Sequence, residues 1–130
     1  MKRYLLIDDD EIFNFLHAEL IRKADDSAII DAFTSSIEGL NYLTARVENN
    51  EPMPDFLFLD IRMPEMNGFE FLNELLKLPA NKLKDVKIFM LTSSLDDRDK
   101  KTAAEFSIVK GFISKTFSIE RLNEIIEENK

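Results

Sequence analysis

Apolar residues in this chain come in short unbroken runs, separated by stripes at helical spacing. Residues 4–7 are apolar and end in Asp8, Asp9 and Asp10. Residues 55–60 carry Phe, Leu, Phe and Leu up to a closing acid, Asp60. The runs at 86–91 and 108–114 stop at Thr92 and Lys115. Branched and aromatic residues without polar alternation predict strands buried on both faces. The run at 27–33 has Asp31 in its middle, which predicts an edge strand where a charge blocks unwanted pairing.

Between the runs, Ile12, Phe13, Leu16, Leu20 and Ile21 predict a helix over residues 11–23, capped by Asp9 or Asp10. Ile37, Leu40, Leu43 or Thr44, and Val47 mark a second helix behind a capping-box pattern, Ser35 to Glu38. Met-Pro and Asn-Gly after Asp60 predict turns leading to a third helix that begins near Phe69 and stops before Pro79. A charge-rich fourth helix is expected over residues 95–106, with Asp96, Asp97 and Asp99 in its solvated first turn. Ser118 caps a fifth, with Ile119, Leu122, Ile125 and Ile126 on one face. His17, the sole histidine, is expected on the surface of the first helix.

Five strands alternating with five helices predict an α/β domain with a parallel sheet and helices on both faces. In such a sheet the carboxyl ends of the strands share one rim, where ligands bind. Asp8, Asp9, Asp60, Thr92 and Lys115 all fall at predicted carboxyl ends. Asp55, which starts the Asp60 strand, falls at the other end.

Charge and composition narrow the partners. A formal net charge of −8 argues against binding nucleic acid or an anionic membrane surface. The chain has no cysteine, so disulfides, thiolate metal sites and a cysteine nucleophile are excluded. The N-terminal apolar run is too short for a signal peptide, and no stretch approaches the ~20 apolar residues of a membrane span. A single domain over residues 1–130, located in the cytoplasm, is expected.

Three carboxylates at one rim repel each other, by about 4 kcal/mol per pair at ~4 Å and an effective dielectric of 20. A magnesium ion relieves this, since it takes oxygen ligands and one or two carboxylates. A carboxylate beside magnesium and an ammonium can attack phosphorus and become an acyl phosphate.

The motifs Leu5-Leu6-Ile7-Asp8-Asp9-Asp10, Leu59-Asp60-Ile61-Arg62-Met63-Pro64, Asn67-Gly68, Leu91-Thr92-Ser93 and Gly111-Phe112-Ile113-Ser114-Lys115 arrive in an order that resembles the receiver domain of two-component response regulators. The resemblance covers essentially the whole chain. It implies a flavodoxin-like fold of strand order 2-1-3-4-5. It also implies that Asp8, Asp9, Asp60 and the main-chain carbonyl of Arg62 bind magnesium. Asp60 is then the acceptor of a phosphoryl group from a sensor histidine kinase or histidine phosphotransfer protein. Thr92 and Lys115 bind the phosphoryl oxygens, and Thr92 and Phe112 form the switch. A downstream protein is expected on the face of the fourth helix, fifth strand and fifth helix. Two features depart from the family pattern. Thr116 follows Lys115 where proline is usual, and a trans bond is expected there. Asp10 is an extra acid, expected to cap the helix.

A stand-alone switch is thus expected, not a conventional turnover enzyme; a phosphorelay intermediate or a phosphate sink is the alternative. A magnesium phosphatase passing through an aspartyl phosphate would want an acid two residues after the nucleophile, where this chain has Arg62. A flavin carrier of the same fold would want a hydroxyl- and glycine-rich loop in place of the three acids after the first strand.

Overall fold

A computed structural model describes residues 1–93, 96–115 and 117–129 of the chain. Its strands are β1 (Arg3–Ile7), β2 (Ile29–Phe33), β3 (Phe56–Asp60), β4 (Lys87–Thr92) and β5 (Val109–Ser114). They form one parallel sheet of order β2-β1-β3-β4-β5. The helices are α1 (Glu11–Ala24), α2 (Ser36–Glu48), α3 (Gly68–Leu75), α4 (Ala80–Leu83), α5 (Asp97–Ala104) and α6 (Ile119–Glu128). β3 is central and buried along its whole length, as its apolar sequence predicts. β2 lies at an edge, and its Asp31 accepts a hydrogen bond from the Tyr42 hydroxyl of α2.

Alternate residues of each strand face opposite sides of the sheet, which splits the core in two. Leu5, Ile7, Leu57, Leu59 and Met90 pack with Leu43 of α2 and with Phe71, Leu72 and Leu75 of α3. Tyr4, Leu6, Phe56, Phe58 and Leu91 pack with Ala18 and Ile21 of α1 and with Leu122 and Ile125 of α6. None of the described helices is long and apolar enough to cross a membrane.

Four expectations need correction. First, a single helical turn, α4, is added to the five helices foreseen. Pro79 ends the α3 region, as expected, but also stands at the N-cap of α4, a position that needs no amide donor. Second, α1 is rotated from its predicted face. Ile12 and Phe15 are 67% and 63% exposed and Leu16 is also exposed, while Asn14, His17, Ala18 and Ile21 are buried. Asn14 explains the rotation: its Nδ2 donates to the carbonyl oxygens of Asp8 (3.1 Å) and Phe33 (3.2 Å), tying the helix to the ends of β1 and β2. Third, His17 is therefore fully buried, not a surface residue. Fourth, Asp99 is buried rather than solvated, because it accepts two hydrogen bonds from Arg62 at 2.8 and 3.0 Å. Asp96 does stand at the exposed start of α5, where its carboxylate caps the Asp99 amide.

Candidate functional site

Backbone hydrogen bonds carry the parallel pairing past the ends of the strands and so set the rim. The Asp8 amide donates to the Phe33 carbonyl at 3.1 Å and the Ile61 amide to Leu91 at 3.2 Å. The Lys115 amide donates to Thr92 at 2.9 Å. Three chain segments thus leave the sheet at the same level, carrying Asp8, Asp60 and Lys115. Asp10 caps α1 by accepting from the Ile12 amide, as expected, and its own amide donates to Asp8 Oδ1 at 2.9 Å. That bond fixes the orientation of the Asp8 carboxylate.

The acids do converge. Asp8, Asp9 and Asp60 each offer an oxygen, and these lie within 4.8 Å of one another. Asp8 and Asp60 are buried and Asp9 is exposed. Lys115 Nζ stands 2.9 Å from Asp8 Oδ2 and 3.3 Å from Asp60 Oδ2. Burial, and next the Asp8 charge, push the Asp60 carboxyl up to about 7 against the pull of Lys115. Burial pulls the Lys115 ammonium down, but its two carboxylate partners outweigh this and leave its pKa raised.

The donor set suits a hard divalent cation, being all oxygen and acidic. Asp8 Oδ2 is buried, and its one close polar contact among the described residues is the Lys115 ammonium at 2.9 Å. A carboxylate oxygen has two lone pairs, so that contact leaves capacity for a metal. The cluster holds two more carboxylates than one ammonium balances if all three are ionised, and a divalent cation makes up the difference.

Thr92 ends β4 at this rim and is buried. Phe112 lies lower on β5, half-buried against the α3-side core and two residues before Ser114, the strand partner of Thr92. It is not part of the acid cluster. The Arg62 side chain points away to α5, where its guanidinium binds Asp99 and lies 3.8 Å from Asp96. The expected trans bond between Lys115 and Thr116 falls on a residue outside those described.

The turn after Asp60 is shaped by two constraints. The Met66 amide donates to the Pro64 carbonyl across Glu65, whose φ of 67° is in the left-handed region. A Cβ on Gly68 would stand 2.5 Å from the Asp60 carbonyl oxygen and 2.9 Å from the Met90 side chain. Only glycine lets α3 start so close to the end of β3. Asn67 then caps α3 in a reciprocal capping box with Glu70.

Residues beside the rim that sequence reasoning missed are Asn14, His17 and Asp99. A signal for the first two was available. Asn14, His17, Ala18 and Ile21 are spaced i, i+3, i+4, i+7, the stripe of a buried face. No comparable signal marks Asp99, whose partner Arg62 is distant in sequence.

Comparison with known proteins agrees with this geometry. The family model for the response regulator receiver domain matches residues 4–127. A sensor histidine kinase CheAY of Helicobacter pylori is 30% identical over 96 residues, which are 74% of this chain and 11% of that protein. The chain thus spans only a small part of that relative. The chemotaxis protein CheY of Listeria monocytogenes is 30% identical over 129 residues, 98% of each chain. A solved structure of a two-component response regulator from Cytophaga hutchinsonii superposes with a TM-score of 0.88 at 29% identity, covering 99% of this chain and 96% of the other.

Proposed function

Because this chain belongs to the response regulator receiver domain family, we propose that it accepts a phosphoryl group on Asp60 and thereby switches a protein partner. The observation that carries this reading is the placement of Lys115 Nζ against both Asp8 and Asp60, inside a cluster of three acids. Asp8, Asp9, Asp60 and the Arg62 carbonyl would hold magnesium, which when bound supplies positive charge to the acids and to the transferring oxygens.

The chain's own residues do the rest. Asp60 is the nucleophile. Its carboxylate oxygen bonds to phosphorus while the phosphorus–nitrogen bond of a donor phosphohistidine breaks and the imidazole leaves. Lys115 pairs with the incoming phosphoryl oxygens and favours the ionised form of Asp60 that must attack. The Thr92 hydroxyl donates to a phosphoryl oxygen. Burial keeps bulk water away from the acyl phosphate. The donor is a histidine kinase or phosphotransfer protein, and the exposed Ile12, Phe15 and Leu16 give it an apolar landing beside the acids. The product adds about −1.5 to −2 charges at Asp60. Thr92 then moves toward the phosphoryl group and Phe112 repacks behind it. A downstream partner reads the change on the face of α5, β5 and α6.

Arg62 stands where an aspartyl-phosphate phosphatase would carry its second acid, and its guanidinium is engaged by Asp99. That opposes rapid turnover. The test is incubation with a small phosphodonor and magnesium, followed by intact-mass measurement. A hydroxylamine-labile adduct is expected in wild type and not in Asp60→Asn. An adduct of undiminished yield in Asp60→Asn, or one mapped to Ser93, would overturn the reading.

A further inference from the structure

A continuous ladder of rings runs from the rim into the core. Phe13 and His17, one turn apart on α1, have ring centroids 5.8 Å apart. His17 stacks on Phe117 at 4.3 Å with an interplanar angle of 16°. Phe117 in turn contacts Phe58 of β3 at 5.3 Å. At the rim end of the ladder, Lys115 Nζ lies 4.7 Å from the Phe13 ring centroid. Phe117 belongs to the segment that joins β5 to α6, two residues beyond Lys115. Phe117 is thus gripped between α1 and β3, and Lys115 is tied to β4 by its amide.

His17 is the centre of this ladder and an unusual choice for it. It is fully buried, and neither ring nitrogen has a hydrogen-bond partner among the described residues. Burying a polar ring unsatisfied is costly, so a role through hydrogen bonding does not explain it. A ligand or phosphate-carrier role needs access, which it lacks. The flat face is what remains in use. Its surroundings agree: burial, and next the Lys115 charge, lower the imidazole to about 4, so the ring stays neutral and stackable near an ammonium.

We propose that His17 is a positioning residue for phosphoryl transfer: its ring, stacked on Phe117 and next to Phe13, holds these two rings in place so that the Lys115 ammonium, which lies over Phe13 and two residues before Phe117, meets Asp8 and Asp60. This rests on the acceptance of a phosphoryl group at Asp60. His17 does not touch the reacting atoms; it acts through Lys115. A flat ring confines Phe117 in direction as well as in volume, whereas an aliphatic side chain confines volume alone.

The experiment is a rate measurement with a small phosphodonor and magnesium, at donor concentrations spanning saturation, on folded variants checked by melting temperature. His17→Leu keeps the bulk and removes two unpartnered polar atoms, so a purely structural role predicts a rate equal to wild type. The positioning role predicts a maximal rate lower by about tenfold, less than the ~100-fold that a full ångström of misplacement costs. Magnesium affinity should be unchanged, since the three acids are untouched. His17→Phe should restore most of the rate. In a Lys115→Ala background, His17→Leu should cost nothing further, because residues acting through one another are not additive. A His17→Leu rate equal to wild type overturns the assignment. So does His17→Phe as slow as His17→Leu, or a leucine penalty that persists without Lys115. A wild type with no Asp60-dependent adduct sinks the phosphoryl-acceptance reading, and this assignment with it. A normal wild-type adduct with a fast His17→Leu variant sinks the assignment alone.

Discussion

Asp60→Asn should make the metal-free protein more stable at neutral pH, although it removes the central functional residue. The folded protein raises this carboxyl from 3.8 to about 7, chiefly by burial and then by the Asp8 charge. An acid whose pKa rises on folding holds its proton more tightly in the folded state. Its stabilising effect is therefore complete below the unfolded value, near pH 4, and is lost as pH rises through about 7. A shift of that size corresponds to at most about 4 kcal/mol at pH 8. Folded domains have roughly 5–15 kcal/mol in total, so the loss is large. Asparagine keeps the shape, removes the charge and can donate to Asp8. Urea unfolding of both proteins in chelator, from pH 4.5 to 8, should show little difference at the acid end and a gap of a few kcal/mol in favour of Asp60→Asn at the alkaline end. Magnesium selects the ionised carboxylate and should close much of that gap by stabilising wild type. If Asp60→Asn were less stable at pH 8, or if the gap did not change with pH, the cluster would not be electrostatically strained as described.

Magnesium at ten times its dissociation constant should add about 1.4 kcal/mol to the stability of wild type; Asp9→Ala should abolish this shift in melting temperature and Asp10→Ala should largely keep it, since Asp10 caps α1. Arg62→Ala leaves the buried Asp99 carboxylate unpaired and should cost about 1–2 kcal/mol by urea unfolding; that is below the 3–5 of a fully buried pair because the Arg62 side chain is 64% exposed. A double-mutant cycle with Asp99→Asn measures this coupling, and full additivity would contradict it. Phe112→Ala should change capture of a partner by phosphorylated over unphosphorylated protein while Asp60 still takes up phosphate; loss of phosphorylation with no separate binding defect would count against its switch role.

The strands were legible because their signal is local. Residues 56–59 are apolar on both faces, and no context makes such a segment anything but a buried strand in an alternating α/β chain. Three such segments end in the residues that meet at the rim, so the convergence of Asp8, Asp9, Asp60 and Lys115 followed from the parallel topology. Helix caps were legible for the same reason: Asp10, Ser35 and Ser118 each accept from an amide two or three residues ahead. Which way α1 faces was not local. It depends on two carbonyl oxygens, of Asp8 and Phe33, at the ends of β1 and β2, to both of which the Asn14 side chain donates. The apolar pattern of Ile12 and Leu16 could not report on acceptors from other elements.

The errors of hydrophobic patterning are not scattered. Buried polar side chains that it placed outside, His17 and Asp99, lie on the elements that flank Asp60 together with buried Asn14, and so do Ile12 and Leu16, apolar residues that it placed inside, and exposed Phe15. Burying an amide, an imidazole or a carboxylate is unfavourable without a specific partner, and so is leaving three large apolar side chains in water. Asn14 and Asp99 do find partners, in strand-end carbonyls and in Arg62. Among the described residues, His17 finds only ring faces. Local rules are broken where a site imposes its own demands. Here they are broken on the helix that starts from the acids and on the helix tied to the loop after Asp60. The same rim that gathers the carboxylates and Lys115 is thus marked a second time, independently, by the cost of the residues around it.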